Sequence, residues 1–190
     1  MPNGWHTRVN TAVFAFRGYN TTNLGRTQEL LAHPAYGPVV ESWLRDASAI
    51  CADVVKRPIN LVDRARRNEE TSLATYDEAI ALIVAMGLAQ LDLAEQFHGV
   101  KYRSVRLSFG YSLGELTAVI ASGVFTMEHA LKVPLAVAAD CVALAENVTM
   151  GVLFSRGPLL DIVKVTRLCL EINQEGKGVI GISSHLAPNT

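Results

Sequence analysis

The chain offers little that would tie it to a metal, a disulfide framework, a membrane or a nucleic acid. Its three cysteines, Cys51, Cys141 and Cys169, are far apart and form no C-x-x-C pair, which argues against a zinc site or structural disulfides. All three have apolar neighbours in sequence and are expected as buried, reduced thiols. No metal-ligand set and no cofactor is implied. The longest basic block is Arg64-Ala65-Arg66-Arg67, and the formal net charge is −1, so the footprint of a nucleic-acid binder is missing. That block is expected as a solvated loop or helix end. Met1 to His6 has no apolar h-region, so no signal peptide is expected there. The apolar run from Ala79 to Leu91 is broken by Gly87 and Gln90, and no run of membrane-spanning length is expected. Internal repeats and low-complexity tracts are lacking. Trp5 and Trp43 carry no site signal. These absences point to a cytoplasmic location.

What is present suits a globular protein. Of 190 residues, 49% are apolar and 18% charged, enough for one sizeable core or a core plus a smaller unit. Val9 to Phe16 combines β-branched and aromatic residues and reads as a buried strand. The polar loop Arg17-Gly18-Tyr19-Asn20-Thr21-Thr22-Asn23 follows it. Tyr36 to about Val54 has helical spacing of apolar residues and is stopped by Pro58. Residues 60–72 are charged and read as irregular or briefly helical. Tyr76 to Phe97 is apolar nearly all round, as in a buried helix, with Thr75 and Glu78 placed for a capping box. Further on, a helix ends near Ser122 at Gly123, and Thr126 caps another. Pro134 inside that helix predicts a kink or restart. Strands at Gly151 to Ser155 and Gly178 to Ser183 are expected around a helix from Leu159 to Asn173. Residues 1–148 thus read as an α/β core and 149–190 as the start of a second, smaller β-α-β unit.

The chain is organised around Ser108-Phe109-Gly110-Tyr111-Ser112-Leu113-Gly114-Glu115. Alternation through Val105, Leu107 and Phe109 leads, as a strand, into Gly110-Tyr111-Ser112-Leu113-Gly114. This is G-x-S-x-G, the pattern of a strand–serine–helix elbow that lifts a hydroxyl out of the backbone. The flanking Gly110 and Gly114 permit the tight turn. The amides opening the next helix face the point where an oxyanion would form. Glu115 suits the positive end of that helix.

With Glu115 directly after the second glycine, the segment resembles the G-H-S-[LIM]-G-E motif of malonyl-CoA–acyl-carrier-protein transacylases and the acyltransferase domains of polyketide and fatty-acid synthases. Ala121-Ser122-Gly123-Val124 and Glu128-His129-Ala130-Leu131 follow as in that family. Phe16-Arg17-Gly18-Tyr19-Asn20 stands where the family has F-P-G-Q-G. The resemblance implies a parallel-sheet, hydrolase-like core with a ferredoxin-like small subdomain that is incomplete here. It implies transfer of an acyl group, malonyl-type or related, from coenzyme A to an acyl carrier protein, with acyl-CoA as substrate and no cofactor. Ser112 would be the nucleophile, and the backbone amides of Leu113 and Tyr19 the oxyanion hole. The family's general-base histidine would fall beyond residue 190. His185 is expected as a loop residue, and His6, His33, His98 and His129 as solvent-facing.

Three departures sharpen this expectation. The family arginine that clamps a malonyl carboxylate corresponds to Val137, and no arginine lies between Arg106 and Arg156. Each hydrogen bond of such a charged pair is worth about 1.5–3 kcal/mol, so a neutral or differently anchored acyl group is expected. Tyr111 replaces the histidine before the serine. Arg17, Tyr19 and Asn20 replace the proline, glutamine and second glycine of the opening motif. Asp77 aligns near a family glutamine that lines the acyl pocket, although helix capping also accounts for it. Two other readings stand beside acyl transfer: an α/β-hydrolase-type serine esterase, and a non-catalytic domain that docks a carrier protein.

Overall fold

In the structure, a computed structural model that describes residues 8–190, the long apolar segment is helix α4, Tyr76–His98. Every residue from Glu78 to Met86 is buried, because all faces of its first half meet protein. Helix α2 (Gly37–Val55) lies along it and buries Val40, Leu44, Ala47 and Cys51. Those residues recur at the spacing of one helical face. Helices α1 (Thr27–Ala32) and α3 (Leu61–Arg66) flank α2. With the preceding turn, Leu73–His98 is 26 residues long and contains an 18-residue window with a mean hydropathy of 1.4. It is therefore long and apolar enough to cross a membrane by length and composition, which corrects the expectation; here it is a core helix, with 56% of its apolar window buried.

Strands β1 (Val13–Phe16) and β2 (Leu107–Gly110) form a parallel two-stranded sheet with Val13 opposite Leu107 and Phe16 opposite Gly110. The molecule is thus a mixed α/β structure dominated by helix. Val9–Thr11 is a 3-10 turn rather than part of the strand. Phe14, Phe16 and Ser108 turn to one face, where Tyr102 packs its ring on both phenylalanines and hydrogen-bonds Ser108 Oγ at 2.6 Å. The opposite face carries Val13, Leu107 and Phe109, each about half exposed. The alternation read from the sequence holds for Leu107 and Phe109, but Val105 precedes β2 at the end of a 3-10 turn, and β1 is not a buried strand.

After β2 come α5 (Leu113–Ala121), α6 (Met127–Ala136) and α7 (Ala138–Ala145). Gly87 lets α5 approach α4: a Cβ there would lie 2.7 Å from Thr117 Cγ2. Thr126 Oγ1 accepts from the His129 amide at the start of α6. The helix restarts at Val137 just after Pro134, because proline supplies no amide and its ring clashes with the preceding turn.

The chain divides into two units, the first running to Glu146 and the second spanning Asn147–Thr190. In the second, helix α8 (Ile162–Gln174) forms, but the expected strands at 151–155 and 178–183 do not. Their backbones find isolated partners instead: the Ser155 amide donates to Asn189 O, and the Ile180 amide to Asn173 Oδ1. A strand needs a continuous ladder partner, and neither segment has one. No residue of the second unit is buried.

Further expectations are corrected by tertiary contacts. Glu78 does not box with Thr75; Ser72 and Thr75 cap each other, and Glu78 pairs with Arg57 and Arg64 at 2.8 and 2.7 Å. Arg64 is therefore buried rather than solvated. Asp77 pairs with Arg57 and accepts from the Glu78 amide. Cys51 is buried, and desolvation together with nearby Asp77 pushes its thiol up to about 12. Cys141 is exposed and Cys169 partly so.

Candidate active site

Ser112 sits between the end of β2 and the first residue of α5, with φ 55° and ψ −124°. A non-glycine residue there bears backbone strain of about 1–3 kcal/mol. The turn is held on both sides. The Tyr111 amide donates to Phe16 O at 3.1 Å, the Gly114 amide to Tyr111 O at 2.9 Å, and the Glu115 amide to Ser112 O at 2.9 Å. These bonds tie the serine turn to the end of β1 and start α5 immediately behind it.

The two flanking glycines act through space rather than through unusual dihedrals. A Cβ on Gly110 would lie 2.0 Å from the Gly114 carbonyl carbon, and one on Gly114 would lie 2.1 Å from Phe16 O. The positive φ falls on Ser112 itself. Gly18, in the loop after β1, is packed just as closely: a Cβ there would meet Tyr111 O at 2.6 Å and Ser112 Cβ at 2.8 Å. The Gly18 backbone therefore lies directly against the serine turn. Among the described residues, neither the Tyr19 nor the Leu113 amide donates to another group. Tyr19 packs edge-on against Tyr76, ring centroids 5.2 Å apart.

The other expected residues are more dispersed. Glu115 is exposed in the first turn of α5 and makes no ion pair among the described residues. Val137 stands 42% exposed at the junction of α6 and α7. Ser112 Oγ has no hydrogen-bond partner among the described residues. His33, His98, His129 and His185 are exposed, and none is bonded to it. His33 instead stacks on Tyr36, with centroids 4.0 Å apart. His6 and Trp5 lie outside the described residues.

Sequence reasoning passed over the residues that hold the loop beside Ser112. Asn23 is fully buried. Its Oδ1 accepts from the Asn20 amide at 2.9 Å, and its Nδ2 donates to Asn20 O at 2.8 Å and Thr71 Oγ1 at 3.0 Å. The Glu70 carboxylate accepts from the amides of Asn23, Leu24 and Thr71 at 2.8–3.3 Å. Partial desolvation raises the Glu70 pKa, but these amide bonds outweigh it and hold the carboxyl below its ordinary value. The Arg17 guanidinium donates to Thr22 O at 3.2 Å and to Asn23 O. The Asn-x-x-Asn spacing of Asn20 and Asn23 was the available local signal; Glu70 and Thr71 are distant in sequence and gave none.

No family model matches the chain. Over 131 residues, 68% of its length, it is 31% identical to a reducing polyketide synthase of Cochliobolus heterostrophus, and it spans 6% of that protein. The chain is thus related to part of a polyketide synthase.

Proposed function

We propose that Ser112 is the nucleophile of an acyltransferase related to those of polyketide synthases, moving an acyl group from coenzyme A to an acyl carrier protein. The observation that supports this reading is the close approach of Gly18 to a serine at positive φ, a Cβ on Gly18 meeting Ser112 Cβ at 2.8 Å, next to Tyr19 and Leu113 amides that donate to no other group among the described residues. Ser112 Oγ attacks the thioester carbonyl, a general base takes its proton, and coenzyme A leaves as the thiol. The two amides receive the negative oxygen of the tetrahedral intermediate; each such donor is worth about 3–4 kcal/mol. The thiol of the carrier's phosphopantetheine then attacks the Ser112 ester and restores the hydroxyl. Donor and acceptor bring their own thiol chemistry, so no cofactor enters, and a cytoplasmic setting belongs to the same proposal. A hydrolase-like core is the architecture this reading implies.

The acyl group is a further part of the proposal. With Val137 at the clamping position, a malonyl carboxylate would enter without its arginine, at the cost of an unpaired charge. An uncharged acyl group, or a charged one anchored elsewhere, is the better substrate. Incubating the full-length protein with acetyl-, longer acyl- and malonyl-CoA and measuring intact mass tests both points. The expected result is an acyl adduct on Ser112, faster with the neutral acyl groups and lost in Ser112→Ala. An unmodified Ser112 with every acyl-CoA would overturn the assignment.

A further inference from the structure

We propose that Asn23 is a positioning residue for the oxyanion site, fixing the Tyr19 amide by gripping both backbone groups of Asn20. This rests on the acyl-transfer reading of Ser112. The grip is specific in geometry. The Asn20 amide belongs to the same planar peptide as the Tyr19 carbonyl, and Asn23 Oδ1 holds it at 2.9 Å. The Asn20 carbonyl is held at 2.8 Å by Nδ2 of the same side chain. On the other side of Tyr19, Gly18 is wedged against Tyr111 and Ser112. Tyr19 is therefore bracketed, with one neighbour fixed by packing and the other by hydrogen bonds.

Asn23 is itself held from outside the loop. Its second Nδ2 bond goes to the buried Thr71, and its amide goes to Glu70. Arg17 closes the loop through the carbonyls of Thr22 and Asn23. Two of the residues that depart from the F-P-G-Q-G pattern, Arg17 and Asn20, are thus both bonded to Asn23. The rigidity that a proline would supply through a fixed φ is supplied here by side chains converging on one asparagine. A buried amide that satisfies two backbone groups at once also makes any other loop conformation costly.

The test is the rate constant of Ser112 acylation, separated from KM for acyl-CoA, in the full-length protein. A fluorophosphonate probe, which needs the same oxyanion donors but no coenzyme A, is run in parallel. Asn23→Ala is expected to slow both reactions about tenfold to a hundredfold, with KM changed by less than about twofold. Thr71→Val, which removes only the outer partner, is expected to slow them about threefold and serves if Asn23→Ala does not fold. Leu44→Ala, a core change on α2 that removes none of the loop's hydrogen bonds, lowers the melting temperature but keeps the rate constant at a permissive temperature. Wild-type rates in Asn23→Ala, or in Thr71→Val where it stands alone, would overturn the proposal. So would a Leu44→Ala rate that falls in step with theirs. A Ser112 labelled by fluorophosphonate but never by acyl-CoA would remove the acyl-transfer reading while leaving the Asn23 comparison decisive. A Ser112 that reacts with neither would overturn both.

Discussion

Gly110 and Gly114 flank a serine as the sequence pattern requires, yet the reason lies in neighbouring atoms rather than in their own dihedrals. Ser112 takes the positive φ, and the glycines make room for the backbone that runs past them. An alanine at 110 would place its Cβ 2.0 Å from main-chain atoms that cannot move independently. Gly110→Ala is therefore expected to lose about 3 kcal/mol or more of stability and to abolish Ser112 labelling. Gly151 supplies the contrast, since a Cβ there would meet nothing within 4 Å. Gly151→Ala should change the melting temperature by no more than about 2 °C. Thermal unfolding of the two variants checks the claim. The sequence made Ser112, Gly110 and Gly114 legible because the elbow is local, five residues that touch one another. Asn23 was not, because its role depends on Thr71 and Glu70, which only the folded chain brings to it.

Among elements, α4 shows where spacing informs and where it misleads. Its burial followed from apolar residues on nearly every face, and Gly99 closes it in a left-handed conformation. The role of Glu78 did not follow, since Arg57 comes from the segment after α2 and Arg64 from α3. Burial pushes the Glu78 pKa up, but hydrogen bonds from Arg57 and Arg64 outweigh it and leave the carboxyl below its ordinary value. A depressed folded-state pKa means that the unfolded chain binds the proton more readily. The stabilisation is therefore complete above the unfolded pKa and is lost as pH falls through the folded one. Denaturant titrations should show stability declining below about pH 5. Glu78→Gln should cost about 2–3 kcal/mol at neutral pH, because it leaves two guanidinium groups short of a partner, and should flatten that acid limb. An unchanged limb would assign the pH dependence to other carboxylates. Pro134 and Val137 are the complementary case: a helix break read directly from one residue's missing amide.

At the scale of the whole molecule, the two units differ in how much each buries. Helix α4 is packed on all sides in its first half, whereas no residue of 147–190 is buried. Hydrogen exchange in the full-length protein is expected to leave the α4 amides protected to the level of global unfolding, while α8 exchanges through local opening orders of magnitude faster. Equal protection would mean that further contacts cover α8. The strands expected in this unit illustrate the general limit, since an apolar run signals a strand but cannot supply its neighbour. The pairing of β1 with β2 has the opposite character and a consequence in time. The strands lie at opposite ends of the helical core in sequence, so joining them closes a loop that contains α1 to α4. Loop-closure entropy weighs against such a contact until the intervening chain has condensed. The contacts of α2 with α4 span a far shorter stretch and are free to form first. Ser112, which acquires its strained turn only when Phe16 meets Tyr111, should then be among the last residues to reach its final geometry during folding.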